Sequence, residues 1–556
     1  MGFTPRRTIA VRVFVTAVAC AAMLLPVSVR ANSAHSHAAA IKHGGTLIVS
    51  QGPNGSWTAN FNPWAPAMTN GTGNIWEPLL WFNILKGGKI TPWLARSYAW
   101  SNGNKTLTFN LRPGVKWNDG KPFTSKDVLF SFQMAKKYAD FGYCTCVSEV
   151  TSVTTPNALT AQFHLKAPDS TMVFWIGNSE PLPQHVFAGK GDPAKVQVTH
   201  PVATGPFMVG SFSPQVFVLK RNPHYWQKGL PYVDALRYPA YSSNDSDQLA
   251  LVNGEIDYGG VFIPDAQSVY ASKSPYNHFW YSGTGAPVAL WMNDAVAPFN
   301  NVHVRKAINM AIDRTQISKV AEYGYEPPSN GAVLFPGYIK KWGDSTAVKA
   351  APSKANITAA KAELAKATGV DISKPMDINV VSGWSDWVTS VQMIATQLKA
   401  IGMNLTVQPL QFSDYLQKLQ TGSFNMAISW TAGEGNSPYY LYHDDFSTIP
   451  PTYAPIGQTA TANFGRFKNT ALDKLINQYS KTTIASKQVS IIKQAERIVA
   501  ANVPVVPIMN SANWYEYNTK KFVGWPTAKN PYDLPPPWVY GHGNGNLDVV
   551  LHVHLK

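Results

Sequence analysis

The stretch from Leu107 to Phe132 constrains the fold more than any other part of the 556-residue chain. Leu107, Phe109 and Leu111 alternate with polar residues, the period of a half-buried strand. Pro113-Gly114 then turns the chain, Val115 and Trp117 continue an extended piece, and Asn118-Asp119-Gly120 turns it again. Thr124 stands where an N-cap belongs, with Asp127 at the third helical position to accept from its backbone, so a helix carrying Val128, Phe130 and Phe132 is expected to follow. Every residue of the unit has a structural task, and it is expected to build the fold and touch no ligand.

The remaining chain is long enough for two or more lobes. Thr46 to Val49 reads as a strand, Val304 to Ala321 as a helix, Ile378 to Val381 as a strand, Val388 to Ile401 as a helix and Leu405 to Leu410 as a strand. Strands that alternate with helices suit an α/β architecture with a mostly parallel sheet. Only 14% of residues are charged, whereas 18 tryptophans and 24 tyrosines are present, so amides, hydroxyls and rings carry much of the polar work.

The N-terminus reads as an export signal over residues 1–31. Arg6, Arg7 and Arg12 precede a largely apolar run from Val13 to Val29, followed by small residues around Ala31. Residues 32–44, rich in Ala, Ser and His, then read as a flexible tether. The formal charge of +15 falls by four, to +11, when Arg6, Arg7, Arg12 and Arg30 leave with the signal. The other Lys and Arg are scattered, with no basic stripe, so no nucleic-acid footprint is expected. No later stretch is apolar for long enough to span a membrane. The mature protein is expected outside the cytoplasm, periplasmic or at the cell surface, with Cys20 leaving a membrane-anchored N-terminus as an alternative to clean cleavage. Cys144 and Cys146 read as a local disulfide or as two free thiols. His35, His37 and His43 read as part of a solvated tail.

The segment from Leu107 to Val128 closely resembles the signature of the family 5 bacterial extracellular solute-binding proteins of ABC transporters. Thr204-Gly-Pro-Phe207, Lys220-Arg-Asn-Pro-His-Tyr-Trp226, Asn253-Gly-Glu-Ile-Asp257 and the run from Val304 to Arg314 extend the resemblance in the family's order. The resemblance implies the two-lobed periplasmic-binding-protein fold, type II with an extra inserted subdomain and two crossing hinge strands. Lobe I would comprise residues 45–91, 204–295 and 510–556, with 92–203 inserted, and lobe II residues 296–509. It also implies a monomeric, non-catalytic receptor without cofactor, which closes on a small-molecule ligand by hinge motion and delivers it to the permease subunits in the membrane.

Ligand-facing groups are expected in both lobes, on loops at strand ends. The second-lobe candidates are Trp384, Ser385, Asp386 and Trp387 in one loop, and Trp430, Glu434, Asn436, Tyr439 and Tyr440 in another. The first-lobe candidates are Trp57, Asn62, Trp64, Asn74 and Trp76. Flat rings can stack on the apolar faces of sugars while short polar side chains pair with hydroxyls. Peptide-binding relatives hold the ligand's amino group with an aspartate in the loop that here starts at Trp430, whereas Glu434 is the one acid between Trp430 and Tyr442. Both loops are more similar to the subgroup that binds cellobiose-like, β-linked oligosaccharides, so a short oligosaccharide is preferred and an oligopeptide is the alternative. A glycoside hydrolase is the rival of another class, with Asp386 and Glu434 as its two carboxylates. No nucleophile elbow, zinc-protease helix or phosphate loop supports an enzyme. Nickel transport, known among relatives, would need a site from the isolated His185, His200, His224, His303 and His443, and no metal is expected.

Overall fold

A computed structural model describes residues 41–65, 68–69, 71–138, 145–282, 285–329, 333–348, 353–431, 435–449, 452–538 and 546–556. The expected signal segment, Cys20, His35, His37, Cys144 and Glu434 lie outside the described residues. Lys42, at the end of the expected tether, bridges to Leu555, and its ammonium donates to the Lys556 carbonyl at 2.8 Å. Among the described residues, no helix is long and apolar enough to cross a membrane.

The unit from Leu107 onward forms as its sequence dictates. Thr106–Leu111 lies between Ala95–Ser101 and Thr160–Leu165 in a four-stranded antiparallel sheet, and Leu107, Phe109 and Leu111 are fully buried. The helix Ser125–Tyr138 starts at Thr124, whose backbone N–H donates to Asp127 Oδ2 at 2.9 Å. Asp127 also accepts the Gln184 N–H at 3.0 Å, so one carboxylate serves two backbone donors.

Two further sheets organise the lobes. Thr46–Ile48 pairs in parallel with Ala235–Pro239, and the antiparallel strands Val216–Arg221 and Phe207–Ser213 complete a four-stranded sheet. The second lobe holds five strands in the order Asn404–Leu410, Pro375–Val381, Met426–Trp430, Pro287–Met292 and Val505–Asn510. The first three run parallel and the last two add antiparallel, so the sheet is mixed. Pro287–Met292 falls on the first-lobe side of the boundary expected at 295, yet its backbone bonds only into this sheet. The physical reason is its burial on both faces: Val288, Leu290 and Met292 enter one apolar cluster, and Ala289 and Trp291 the other. The single helix expected from Val304 to Ala321 is two, Val302–Ala311 and Arg314–Ala321. Asp313 breaks it by capping the second through the Gln316 N–H at 2.8 Å, while the buried Arg314 guanidinium donates to Pro507 O at 2.6 Å and Asn309 O at 3.1 Å.

Two chain segments run between the lobes. Asn277–Phe279 pairs with Glu516–Asn518 in a small first-lobe sheet, and the same two segments pair again as Pro287–Met292 with Val505–Asn510 in the second lobe. Between these ladders, Trp280 N–H donates to Tyr515 O at 3.0 Å and Gly285 N–H to Ser511 O at 3.1 Å. This antiparallel pair is the two-strand hinge.

Candidate functional site

A cavity of about 280 Å³ lies beside the hinge. The first lobe contributes the loop Gln51 to Asn54 after its first strand, Asn244 at the start of helix Asn244–Val252, the segment Gly260 to Phe262, and Trp538. The second lobe contributes Glu326, Trp384, Asp386, Trp387, Phe412 and Trp430, and the hinge supplies Ser511 and Trp514. Strand ends and helix starts place these groups, because there the backbone leaves the sheet and frees side chains to face a cleft.

The second-lobe wall is a ring cluster. Trp387 and Trp430 lie 4.5 Å apart between centroids, Trp384 and Trp387 5.1 Å, and Trp384 and Trp430 5.3 Å. Trp387 is 3% exposed and belongs to the second-lobe core as well as to the wall, whereas Trp430 is 38% exposed. The lobes touch directly next to this wall. Asn244 Nδ2 donates to Asp386 Oδ1 at 3.1 Å and to Ser385 Oγ at 3.3 Å, and Asn244 N–H donates to Gly383 O at 3.1 Å. Gly383 has φ of +85°, and a Cβ there would come within 2.8 Å of Ser242 O, so this crossing requires glycine.

Three carboxylates gather at the hinge end. Burial pushes Asp386 up to about 6, against the helix-start N–H of Trp387 and the Asn244 amide. Burial pushes Glu326 up to about 8, although its Oε1 accepts the Ala512 N–H at 2.9 Å. Glu322, behind them, is raised well above the carboxylate range by burial and then by the charges of Glu326 and Asp386, and Ser390 Oγ donates to it at 2.9 Å. No Lys, Arg or His is among the described residues that line the cavity.

Of the expected site residues, Trp384, Asp386, Trp387 and Trp430 line this cavity, and Ser385 sits exposed at its rim. The five first-lobe candidates are core instead. Each points its polar atom at a structural partner: Trp57 Nε1 at Tyr238 O (3.1 Å), Trp64 Nε1 at Glu180 O (3.2 Å) and Trp76 Nε1 at Phe61 O (2.9 Å). Asn62 Nδ2 donates to Pro193 O at 2.7 Å and Val196 O at 2.8 Å, and Asn74 Nδ2 donates to Tyr238 Oη and Asn546 Oδ1, both at 2.9 Å. A buried N–H must find an acceptor, and these rings and amides fasten irregular loops. Asn436, Tyr439 and Tyr440 form a second seam between the lobes, away from the cavity. Tyr440 packs on Phe174 at 4.3 Å and Trp175 at 5.1 Å, and Tyr439 stacks on Tyr479 at 4.8 Å. Ser170 N–H crosses this seam to Ser480 O at 2.9 Å.

At the seam, Gly88 approaches Asn436 so closely that a Cβ on it would lie 2.3 Å from Asn436 Cα. Gly88→Ala is expected to strain the backbone, whose φ is +77°, in either lobe arrangement and in addition to prop the lobes apart, weakening ligand binding about tenfold. Titration calorimetry checks this, and unchanged affinity would remove the seam from the closing motion.

Phe262, Trp514, Trp538, Phe412, Asn244 and Glu326 also line the cavity and were missed by sequence reasoning. Trp514 and Trp538 were detectable only as rings outside any periodic pattern. Asn244 and Glu326 carried no local signal, because their position depends on how the lobes meet.

The histidines considered for a metal are dispersed: His185, His303 and His443 each pair with one carboxylate, Asp119, Glu363 and Asp444, at 2.7 Å. No group of three metal-binding side chains occurs among the described residues.

The model of the bacterial extracellular solute-binding proteins, family 5 (middle), matches residues 89–449. The chain is 25% identical over 500 residues to the periplasmic oligopeptide-binding protein of Salmonella typhimurium, covering 84% of this chain and 86% of that protein. It is 24% identical over 498 residues to a probable deoxycholate-binding periplasmic protein of Escherichia coli, covering 83% and 86%. The crystal structure of a mannohexaose-bound periplasmic oligopeptide-binding protein of an ABC transporter from Thermotoga maritima superposes with a TM-score of 0.84 at 24% identity, covering 92% of this chain and 98% of that one. With two lobes, a two-strand hinge and a match across most of its length, the chain belongs to the bacterial extracellular solute-binding proteins, family 5, the binding components of ABC importers.

Proposed function

We propose that the protein captures a short, β-linked oligosaccharide in the cavity between its lobes, closes around it by hinge motion and delivers it to the permease of an ABC importer. The carrying observation is the composition of the wall: five tryptophans and two phenylalanines, with amides and carboxylates and no cation among the described lining residues. Rings present flat apolar area to pyranose faces, and carboxylates and amides accept from hydroxyls. A peptide's terminal carboxylate would need a cationic or N–H-rich partner, and no cation is among the described lining residues. The Thermotoga maritima structure supports the sugar reading, since it holds mannohexaose although the protein is called oligopeptide-binding. The oligopeptide reading is favoured by the names of the Salmonella and other relatives. Residues 1–31 and the relatives named periplasmic support action outside the cytoplasm. The inserted segment 92–203 is proposed to move with the first lobe as the hinge bends, Phe174 and Trp175 meeting Tyr440 at the seam.

Thermal-shift screening with β-linked di- to pentasaccharides and with di- to pentapeptides tests the ligand class. An oligosaccharide at 100 times its Kd should add about 2.7 kcal/mol of stability by mass action. Stabilisation by peptides alone would overturn the sugar assignment. The oligosaccharide should be recovered intact after incubation, and cleavage would reinstate the hydrolase.

A further inference from the structure

Resting on the reading of the cavity as an oligosaccharide site, we propose that the preferred ligand is an amino sugar, whose protonated amine lies between the carboxylates of Glu326 and Asp386 and the adjoining tryptophan wall. Glu326 is 1% exposed and lines the cavity; its Oε1 is bonded to the Ala512 N–H, the neighbouring Ser511 side chain offsets part of its burial, and its Oε2 makes no direct hydrogen bond. Asp386, 5% exposed, spends Oδ1 on the Asn244 amide from the opposite lobe. Glu322 stands behind both, also with one oxygen unpartnered, and no lining cation faces the three acids.

Without a countercharge, burial makes ionisation costly and leaves Glu326 holding its proton, and a bound cation is the partner that lets the pair ionise. A sugar hydroxyl can donate one hydrogen bond to such an oxygen but brings no charge. An ammonium brings three donors and the charge together. The wall supplies the second half of a cation site, because Trp384, Trp387 and Trp430 crowd within 4.5 to 5.3 Å of one another and ring faces attract cations within about 6 Å. An N-acetyl group would abolish the charge and bring a carbonyl acceptor against acceptor oxygens. A uronic acid would set like charges together.

The test is titration calorimetry at pH 7 with four probes: the β-1,4-linked glucosamine dimer, cellobiose, N,N′-diacetylchitobiose and a dipeptide amide. The glucosamine dimer is expected to bind at least tenfold more tightly than cellobiose, and acetylation should remove that advantage. In Glu326→Gln and Asp386→Asn, the ratio of the two affinities should fall toward one. Equal affinities for the glucosamine dimer and cellobiose would overturn the amine assignment and leave the oligosaccharide reading standing. Binding of the dipeptide amide alone would overturn the oligosaccharide reading and retain amine recognition. Binding of none of the four would overturn both. The wild-type comparison needs no variant, so it decides even if a substitution impairs folding.

Discussion

The protein is expected to melt about 5 °C lower at pH 8.5 than at pH 5.5, given about 1 kcal/mol per degree for a folded chain of roughly 500 residues. The cause is a set of buried carboxylates whose protons the native state retains. Burial pushes Glu77 and Asp247 up to about 7, and Glu326 and Glu516 up to about 8. Glu77 receives hydrogen bonds from Trp93, Tyr225 and Trp226, and Asp247 from Ser50, and these only partly offset the loss of solvation. In the unfolded chain such groups titrate near 4, so between pH 4 and pH 8 the native state binds more protons than the unfolded state. Stability therefore falls as pH rises through that window, and with about half of each shift relieved by relaxation around the buried groups the loss from pH 5.5 to 8.5 is on the order of 5 kcal/mol for the set together. Asp344 and Glu363 act in the opposite sense. Arg497 holds the first below its ordinary value, and Lys366 and His303 hold the second. Their contribution is present above the unfolded value and is lost as pH falls through the depressed one, which places the stability maximum near pH 4. Calorimetric melting across this range checks the sign, and a midpoint that climbs from pH 5.5 to 8.5 would refute it.

Trp387→Ala should destabilise the fold by about 3–5 kcal/mol and also weaken ligand binding, because the ring fills the second-lobe core while its edge reaches the cavity. Trp430→Ala should cost less than about 1 kcal/mol of stability, given its exposure, yet lower affinity about tenfold if the ring stacks on the ligand. The pair separates core from contact. Urea melts with calorimetric titration of both variants supply the measurement, and an unaltered affinity in Trp430→Ala would remove that ring from the ligand.

Legibility in the sequence followed the range of the interactions. The unit from Leu107 to Phe132 could be read completely, since alternation, turn residues and the Thr124–Asp127 cap act over a few residues. The helix break at Asp313 was missed because apolar periodicity continues through it, although the cap that Asp313 places on the Gln316 N–H is accompanied by Arg314 reaching the distant Pro507 carbonyl. In the loop after Pro375–Val381, two tryptophans beside an aspartate at a strand end, Trp384 and Trp387, line the cavity. The same reasoning failed for Trp57, Trp64 and Trp76, whose composition is indistinguishable but whose indole N–H groups tie loops to the core.

Sequence alone therefore determined the family, the two-lobed architecture and half of the aromatic wall, because local patterns and their order along the chain encode these. Tertiary structure alone decided the other half. Glu326 and Asp386 lie 60 residues apart in the chain, Asn244 comes from the opposite lobe, and Trp514 belongs to the hinge. Only closure of the lobes sets these groups around one cavity, and only burial there pushes ordinary acids above their usual range.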